Sequence, residues 1–227
     1  GNGVKSVIGH AMGSQVGYVA DGIFKSQDEI DNHATQEGAA LGRIRWKDLN
    51  NDGKITEADQ EWIYDPTPDF TYGFNIYLEY KNFDFTAFFQ GVQGVDIISD
   101  LKKETDIWAG LNIGYLNKGR RLLDAWSATN PNSNIPAVSL SDNNNEKRVS
   151  SYWVENGSYL KLRTVQIGYN APKSFAQKLA MERLRFYLSA QNVFTIKSSS
   201  FTGVDPENPN YGYPIPLNIT FGLNVTF

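Results

Sequence analysis

The sequence predicts an all-β fold, in which antiparallel strands form a transmembrane β-barrel. Two observations predict this class. Apolar and polar residues alternate over long segments, and the connections between these segments are short at one end of the strands and long at the other. No apolar run reaches the roughly 18 residues of a membrane-spanning helix, whereas a barrel strand needs only about 10 residues of alternating character.

The clearest predicted strand is the terminal one, 217–227. Its odd-numbered residues, from Leu217 to Phe227, are all apolar, and its even-numbered residues are small or polar. A period of two places these sets on opposite faces of a strand.

Two more alternating segments, 70–80 and 83–93, are separated only by Lys81 and Asn82. Such a short connection between alternating runs predicts a β-hairpin over 70–93.

A fourth strand is predicted over 158–169 and a fifth over 183–195. In the fourth, the apolar residues first fall at Leu160 and Leu162 and then shift by one position to Val165 and Ile167. A shift of one residue predicts a β-bulge near Arg163 and Thr164.

The connections fall into two classes when strand directions are counted from the C-terminus. Lys81-Asn82 and 170–182 lie at one end, and the long segments 1–69, 94–157 and 196–216 lie at the other. Long loops on one side and short turns on the other are typical of outer-membrane barrels. Within the largest segment, 113–126 predicts a short helix.

Composition excludes several classes of function. The 21 basic and 25 acidic residues give a net charge of −4, which argues against nucleic acid as a partner. The absence of Cys excludes disulfides, Cys-based zinc sites and thiol catalysis. The two histidines, His10 and His33, argue against a His-based triad or metal site.

Residues 48–59 match the twelve-residue spacing of an EF-hand calcium loop, with Gly53 at the sharp turn. The predicted metal ligands are Asp48, Asn50, Asp52, Lys54, Thr56 and Asp59. Because Asp59 replaces the usual bidentate Glu at position 12, we expect weaker or more hydrated Ca²⁺ binding. The alternative is a tight turn, rich in Asp and Asn, that holds no ion. No organic cofactor is predicted.

No catalytic residue is predicted. The carboxylates between Asp65 and Asp106 are scattered, and no nucleophile elbow or phosphate-binding loop occurs. The five tryptophans are expected to pack within loops or lie at a membrane interface rather than to define a ligand site; they are Trp46, Trp62, Trp108, Trp126 and Trp153. The substrate-binding residues stay unassigned.

Seven stretches, in order along about 16–227, carry a family resemblance. They lie at 17–24, 42–53, 68–75, 88–91, 156–163, 191–195 and 213–216, and include GRIRWKDLNNDG, PDFTYGFN, NGSYLKLR and QNVFT. Together they resemble the C-terminal part of a TonB-dependent outer-membrane transporter of the SusC/RagA family.

The resemblance implies a 22-stranded barrel that closes around a plug domain and imports oligosaccharides or peptides for nutrient uptake. TonB energises the plug in that family, a SusD-like surface lipoprotein covers the extracellular face as a SusC–SusD complex, and the barrel-assembly machinery recognises the terminal strand.

The sequence has no plug and too few strands to close such a barrel, so we expect a segment of a longer transporter, completed by the remaining strands. The long loops would be extracellular (1–69, 94–157 and 196–216), and the turn within 158–195 and the C-terminus would be periplasmic, in the outer membrane of a Gram-negative bacterium.

Two alternatives remain open. The first is a soluble β-rich glycan-binding module stabilised by calcium, which needs a second sheet over its apolar strand faces. The second is a hydrolase embedded in a barrel, for which the sequence offers no carboxylate pair.

Overall fold

A computed structural model describes residues 8–106, 119–139, 142–209 and 213–227. The chain divides into two compact units. The first comprises 1–67, 96–156 and 209–211, and the second comprises 68–95, 157–208 and 212–227. Within the described ranges, no helix is both long and apolar enough to cross a membrane.

The strands, in chain order, are β1 (Gln15–Tyr18), β2 (Ala20–Ile23), β3 (Ile44–Trp46), β4 (Gln60–Tyr64), β5 (Phe70–Tyr80), β6 (Phe83–Gln93), β7 (Asp96–Ile98), β8 (Val154–Asn156), β9 (Tyr159–Asn170), β10 (Arg183–Lys197) and β11 (Asn218–Thr226). The α-helices are α1 (Gln27–Asp31), α2 (Asp100–Asp106) and α3 (Lys173–Lys178). Short 3₁₀ helices occupy Glu57–Asp59, Arg120–Asp124 and Ser151–Trp153.

The second unit is built on one five-stranded antiparallel sheet with the strand order β11-β10-β9-β6-β5. All five strands predicted from alternation belong to this sheet, and their observed ends lie within two residues of the predicted ones. The all-β, antiparallel prediction is therefore confirmed.

The predicted bulge in the fourth strand lies at Arg163. On one side β9 pairs with β6 through Thr164↔Phe88 and then Leu162↔Phe89, so that Arg163 has no counterpart on β6. The extra residue moves Leu160 and Leu162 onto the same face as Val165 and Ile167. The shift in the hydrophobic pattern thus reports a real irregularity of the strand.

Glycines in the sheet leave room for tyrosine rings from the neighbouring strand. A Cβ atom at Gly91 of β6 would overlap the ring of Tyr72 on β5, and one at Gly222 of β11 would overlap the ring of Tyr187 on β10. Each tyrosine therefore covers a glycine that lies opposite it, a pairing that compensates for the missing side chain.

The first unit contains three two-stranded antiparallel sheets, β1-β4, β2-β3 and β7-β8. Its core is formed by Ile23, Ile44 and Trp46, which are almost fully buried. Strand β1 pairs with β4 through Val16↔Trp62, Gly17↔Glu61 and Tyr18↔Gln60.

The helix predicted over 113–126 is tested only in part. Residues 113–118 lie outside the described residues, and the rest holds the 3₁₀ helix Arg120–Asp124. Trp108 also lies outside the described residues.

Candidate functional site

One face of the five-stranded sheet is apolar from edge to edge. The register aligns Leu188 of β10 between Ile167 of β9 and Phe221 of β11. The exposed apolar side chains on this face are Phe70, Phe74, Ile76, Leu78, Tyr80, Phe83, Ile167, Leu188, Phe194, Ile196, Ile219, Phe221, Leu223 and Val225. An exposed apolar surface of this extent marks a face that contacts an apolar medium or partner.

The opposite face is polar, and at the end near the short turns an ion pair lies across it. Arg185 of β10 pairs with Asp84 of β6, with Nε 3.0 Å from Oδ2, and Asn170 donates a further hydrogen bond to the same carboxylate. Both charged side chains are largely buried. The pair connects two strands that are not neighbours, because β9 runs between them.

At the other end of the polar face, Lys161 of β9 lies beneath the connection between β10 and β11. Its side chain is 1% exposed, and its Nζ atom lies 2.8 Å from Oδ2 of Asp205 and 2.5 Å from Oε2 of Glu207. A buried amine requires such partners, because an unpaired charge out of water is strongly unfavourable. The loop thus folds onto the polar face of the sheet.

Glu207 is the centre of this cluster. The hydroxyl of Tyr159 donates to Oε1 over 2.7 Å, and Arg163 pairs with the same oxygen. Arg163 also donates from Nε to Oε1 of Gln90 on β6, 2.9 Å away. Burial alone would raise the pKa of Glu207, but the hydrogen bonds from Lys161 and Tyr159 lower the pKa below its ordinary value, so the carboxylate is charged at neutral pH.

A second polar cluster lies in the first unit and organises its core. The amide of Asn144 and that of Gln36 both donate to the carbonyl of Ile44, and Oε1 of Glu146 accepts from the Ile44 N–H at 2.9 Å. Glu146 also pairs with Arg43 at 3.0 Å. Burial raises the pKa of Glu146, and the charge of Arg43 opposes this rise. Because each partner is satisfied, the cluster fixes strand β3 in place.

A third cluster joins α2 to the segment before β8. The Tyr152 hydroxyl donates to the buried Asp106 carboxylate at 2.7 Å, and Arg121 pairs with the same group at 3.3 Å. Burial, with the nearby Asp106 charge, raises the pKa of Tyr152 above its ordinary value, which keeps the phenol protonated as a donor.

The residues predicted as calcium ligands form one closed loop in which most oxygens accept main-chain hydrogen bonds. Asp48 accepts from the N–H groups of Asn51 and Gly53, and Asp52 accepts from that of Lys54. Asn50 donates to Asp52 and accepts from its N–H. The main chain of Lys54 forms a bridge with Thr35.

Asp59, at position 12 of this loop, is fully buried. Its carboxylate accepts from the N–H groups of Leu49 at 3.0 Å and Thr56 at 2.7 Å, and from the Thr56 hydroxyl at 3.3 Å. The oxygens of Asp59 are therefore engaged in keeping the loop closed. A cation fits this loop only at its less buried ligand residues. Among the residues that the structure describes, no three His, Asp or Glu side chains are grouped to hold a metal ion.

The described tryptophans pack within the loop regions, as the sequence predicts. Trp46 and Trp153 are buried, Trp62 stacks on His10 with ring centroids 3.8 Å apart, and Trp126 lies against Gly42.

Sequence reasoning missed the cluster around Lys161. One signal was available: Lys161 is a charged residue between Leu160 and Leu162, inside an alternating strand. Its partners, Asp205 and Glu207, lie in the long segment 196–216, more than 40 positions away along the chain.

Comparison with known proteins finds relatives that match nearly the whole chain. No family model matches the sequence. The chain is 36% identical over 236 residues to TonB-dependent receptor P3 of Formosa agariphila, covering 96% of this chain and 22% of the relative. It is 25% identical over 225 residues to TonB-dependent receptor SusC of Bacteroides thetaiotaomicron, covering 94% of this chain and 20% of that protein.

The fold likewise matches a solved structure, that of the RagAB peptide transporter, with a TM-score of 0.69, 24% identity, and coverage of 94% of this chain and 22% of that chain. The chain thus spans about a fifth of the length of the relatives that it matches. By name, these proteins are receptors and transporters rather than enzymes.

Proposed function

We propose that this chain, which is homologous over nearly its whole length to TonB-dependent receptors of the SusC/RagA type, forms part of the barrel wall of a transporter in the bacterial outer membrane. One observation carries the proposal. The five-stranded sheet exposes an apolar face along all its strands, and its other face is polar. A barrel wall has this division, with lipid on one side and an aqueous interior on the other.

The proposed cargo is an oligosaccharide or a peptide, moved inward with energy that TonB passes to a plug outside this chain. The peptide alternative is supported by the likeness in fold to a peptide transporter, and the oligosaccharide alternative by the resemblance to the SusC type. In both cases the chain contributes wall and loops and has no catalytic role.

The proposed partner is a SusD-like surface lipoprotein that contacts segments 1–69 and 94–157. These segments contain most of the first unit, whose buried clusters give the loops a fixed structure. The terminal strand, 217–227, would serve as the signal for the barrel-assembly machinery. We also propose that loop 48–59 binds Ca²⁺ weakly, as its spacing suggests.

A pair of neighbouring residues tests the orientation of the sheet. This chain has no Cys, so the variants Leu188→Cys and Ser189→Cys each add one labelling site to it, on the apolar and the polar face respectively; any Cys in the rest of the receptor is first replaced by Ser. In the complete receptor, reconstituted in vesicles, brominated lipid should quench a fluorophore at 188 much more strongly than one at 189. Equal quenching would contradict a barrel wall.

A second experiment separates the barrel from the soluble module. The complete receptor should be extracted from membranes only by detergent. A monodisperse monomer in plain buffer would contradict the proposal, because the exposed apolar face would then need a cover within the protein itself.

Transport itself is tested by uptake in cells. Labelled malto-oligosaccharides or oligopeptides should accumulate in cells that make the receptor, and this accumulation should disappear when TonB is deleted. If neither probe series is taken up, the proposed cargo is wrong.

A further inference from the structure

The loop between β10 and β11 is a compact structure on the polar face of the sheet. Phe201 is 4% exposed and Asp205 8% exposed. Two tight turns shape the loop, with Phe201 N–H donating to the carbonyl of Ser198 at 3.1 Å and Asn208 N–H donating to that of Asp205 at 3.0 Å. We call residues 198–208 the inner loop.

The inner loop is also closed at its base. The amine of Lys197 donates to the carbonyl of Gly203 and lies 5.1 Å from the ring centroid of Phe201. Phe201 is therefore enclosed by the loop that carries it, and a buried aromatic ring contributes strongly to local order.

Lys161 attaches the inner loop to the sheet. Its buried amine contacts carboxylates from two positions of the loop, Asp205 and Glu207. Removing the amine of Lys161 would leave two carboxylates of the loop, Asp205 and Glu207, without this cation, and breaking a buried pair in this way is strongly unfavourable. The loop is thus held by an interaction that solvent and salt screen poorly.

Two further contacts spread the attachment over the sheet. Glu207 binds Tyr159 and Arg163 of β9, and Arg163 in turn binds Gln90 of β6. Two carboxylates of the loop meet two cations of β9, Lys161 and Arg163, so that the attached loop neutralises the positive charge of this part of the face.

We propose that the inner loop is a fixed constriction of the transport passage, held by Lys161, and that it determines the widest substrate that can pass. The inference rests on the proposed function, since it requires that the polar face borders the passage. We call Lys161 and its two carboxylate partners, Asp205 and Glu207, the clamp. The clamp positions the inner loop, and the loop limits the width of the passage.

The first test measures attachment of the loop in the complete receptor in detergent. Chymotrypsin cleavage after Phe201, followed by mass spectrometry of the fragment, should be at least tenfold faster in Lys161→Met than in the wild type. Glu207→Gln, which keeps the Asp205 contact and folds more readily, should give a smaller increase in the same direction.

Arg185→Met is the matched control. It breaks a largely buried ion pair on the same polar face but touches no residue of the inner loop. Its rate of cleavage after Phe201 should equal that of the wild type. Unchanged cleavage in both clamp variants would overturn the proposal, as would an equal increase in Arg185→Met.

The second test measures the width of the substrates that can pass. Cells that make each receptor are given malto-oligosaccharides and oligopeptides of increasing length and branching, and TonB-dependent uptake is recorded. The clamp variants should take up wider members that the wild type excludes, while the narrowest members enter equally well. A mere loss of stability would instead lower the uptake of all members together.

The outcomes are distinguishable. Faster cleavage with the same size limit overturns the constriction while wild-type uptake, and hence the proposed function, stands. Absence of TonB-dependent uptake by the wild type overturns the proposed function, and the constriction with it.

Discussion

Arg185 of β10 reaches Asp84 of β6 by passing over Gly168 of the strand between them. A Cβ atom at Gly168 would lie 2.5 Å from the carboxylate of Asp84 and closer still to the guanidinium of Arg185. The absence of a side chain at this position is therefore the condition for an ion pair that spans three strands.

Gly168→Ala should separate Arg185 from Asp84 and lower the stability of the sheet by about 1–3 kcal/mol, because two largely buried charges lose their contact. The measurement is the midpoint of thermal unfolding of the receptor in detergent. A double-mutant cycle supplies the control: in a background that carries Asp84→Ala and Arg185→Ala, the effect of Gly168→Ala should nearly vanish. An undiminished effect would show that the methyl group acts elsewhere.

Tyr72→Ala should destabilise the hairpin β5-β6, since it uncovers Gly91 and removes the ring that packs on it. We expect a loss of about 1–3 kcal/mol, seen as a lower unfolding midpoint and a smaller yield of folded receptor. Tyr77→Ala on the same strand is the matched control, because Tyr77 is 63% exposed and lies on the other face. Equal losses for the two variants would contradict the role of the Tyr72–Gly91 pair.

Asp59 should make closure of loop 48–59 sensitive to acid. Burial alone would raise the pKa of Asp59, but hydrogen bonds from main-chain amides, above all that of Thr56, lower the pKa below its ordinary value of 3.8. A group with a depressed pKa stabilises the fold above its unfolded pKa and loses this contribution as pH falls through the folded pKa.

Hydrogen exchange at the amides of Leu49 and Thr56 measures this effect. Protection should be constant above pH 3.8 and fall in more acidic solution. Asp59→Asn should weaken protection above that pH by about 1–3 kcal/mol, and the difference from the wild type should shrink as Asp59 becomes protonated. Glu57→Gln is the control, since Glu57 is exposed in the same 3₁₀ helix. Protection that does not change with pH in the wild type would contradict the assignment.

Calcium is predicted to bind loop 48–59 weakly, because its oxygens already accept hydrogen bonds within the loop and those of Asp59, which also bind Leu49 and Thr56, are fully buried. Calorimetry of the complete receptor should show a heat of Ca²⁺ binding that is lost in the double variant Asp48→Ala, Asp52→Ala. The same metal content in both forms would refute the prediction and favour the turn without an ion.

The sheet could be predicted from the sequence because its physical cause is local. One exposed apolar face imposes a period of two on every strand. The first and last residues of β5 (Phe70–Tyr80) and β6 (Phe83–Gln93) can therefore be predicted without knowing which strands pair with them. Even the bulge at Arg163 left a shift in this pattern.

The first unit and the inner loop could not be predicted in the same way. Strands β2 and β3 have only four and three residues, too few for a period to be recognised. Strand β3 is held by Asn144, 100 positions away, whose amide donates to the carbonyl of Ile44. The attachment of Asp205 and Glu207 to Lys161 depends on a long-range pairing, of which the local sequence shows only one sign, the charge of Lys161 between two leucines.

The bulge at Arg163 belongs to a line that crosses the sheet. Two successive rows of paired residues, Phe88-Thr164-Gln191 and Phe89-Leu162-Phe194, enclose a different number of residues in each strand. There are none in β6, one in β9 (Arg163) and two in β10 (Asn192 and Val193). Asn192 has a left-handed conformation. Strands with bulges bend and twist more strongly, so we expect the sheet to bend at these residues. The part of the sheet that carries Lys161 is therefore expected to bend away from the rest, and this bend depends on the number of residues in each strand rather than on their chemistry.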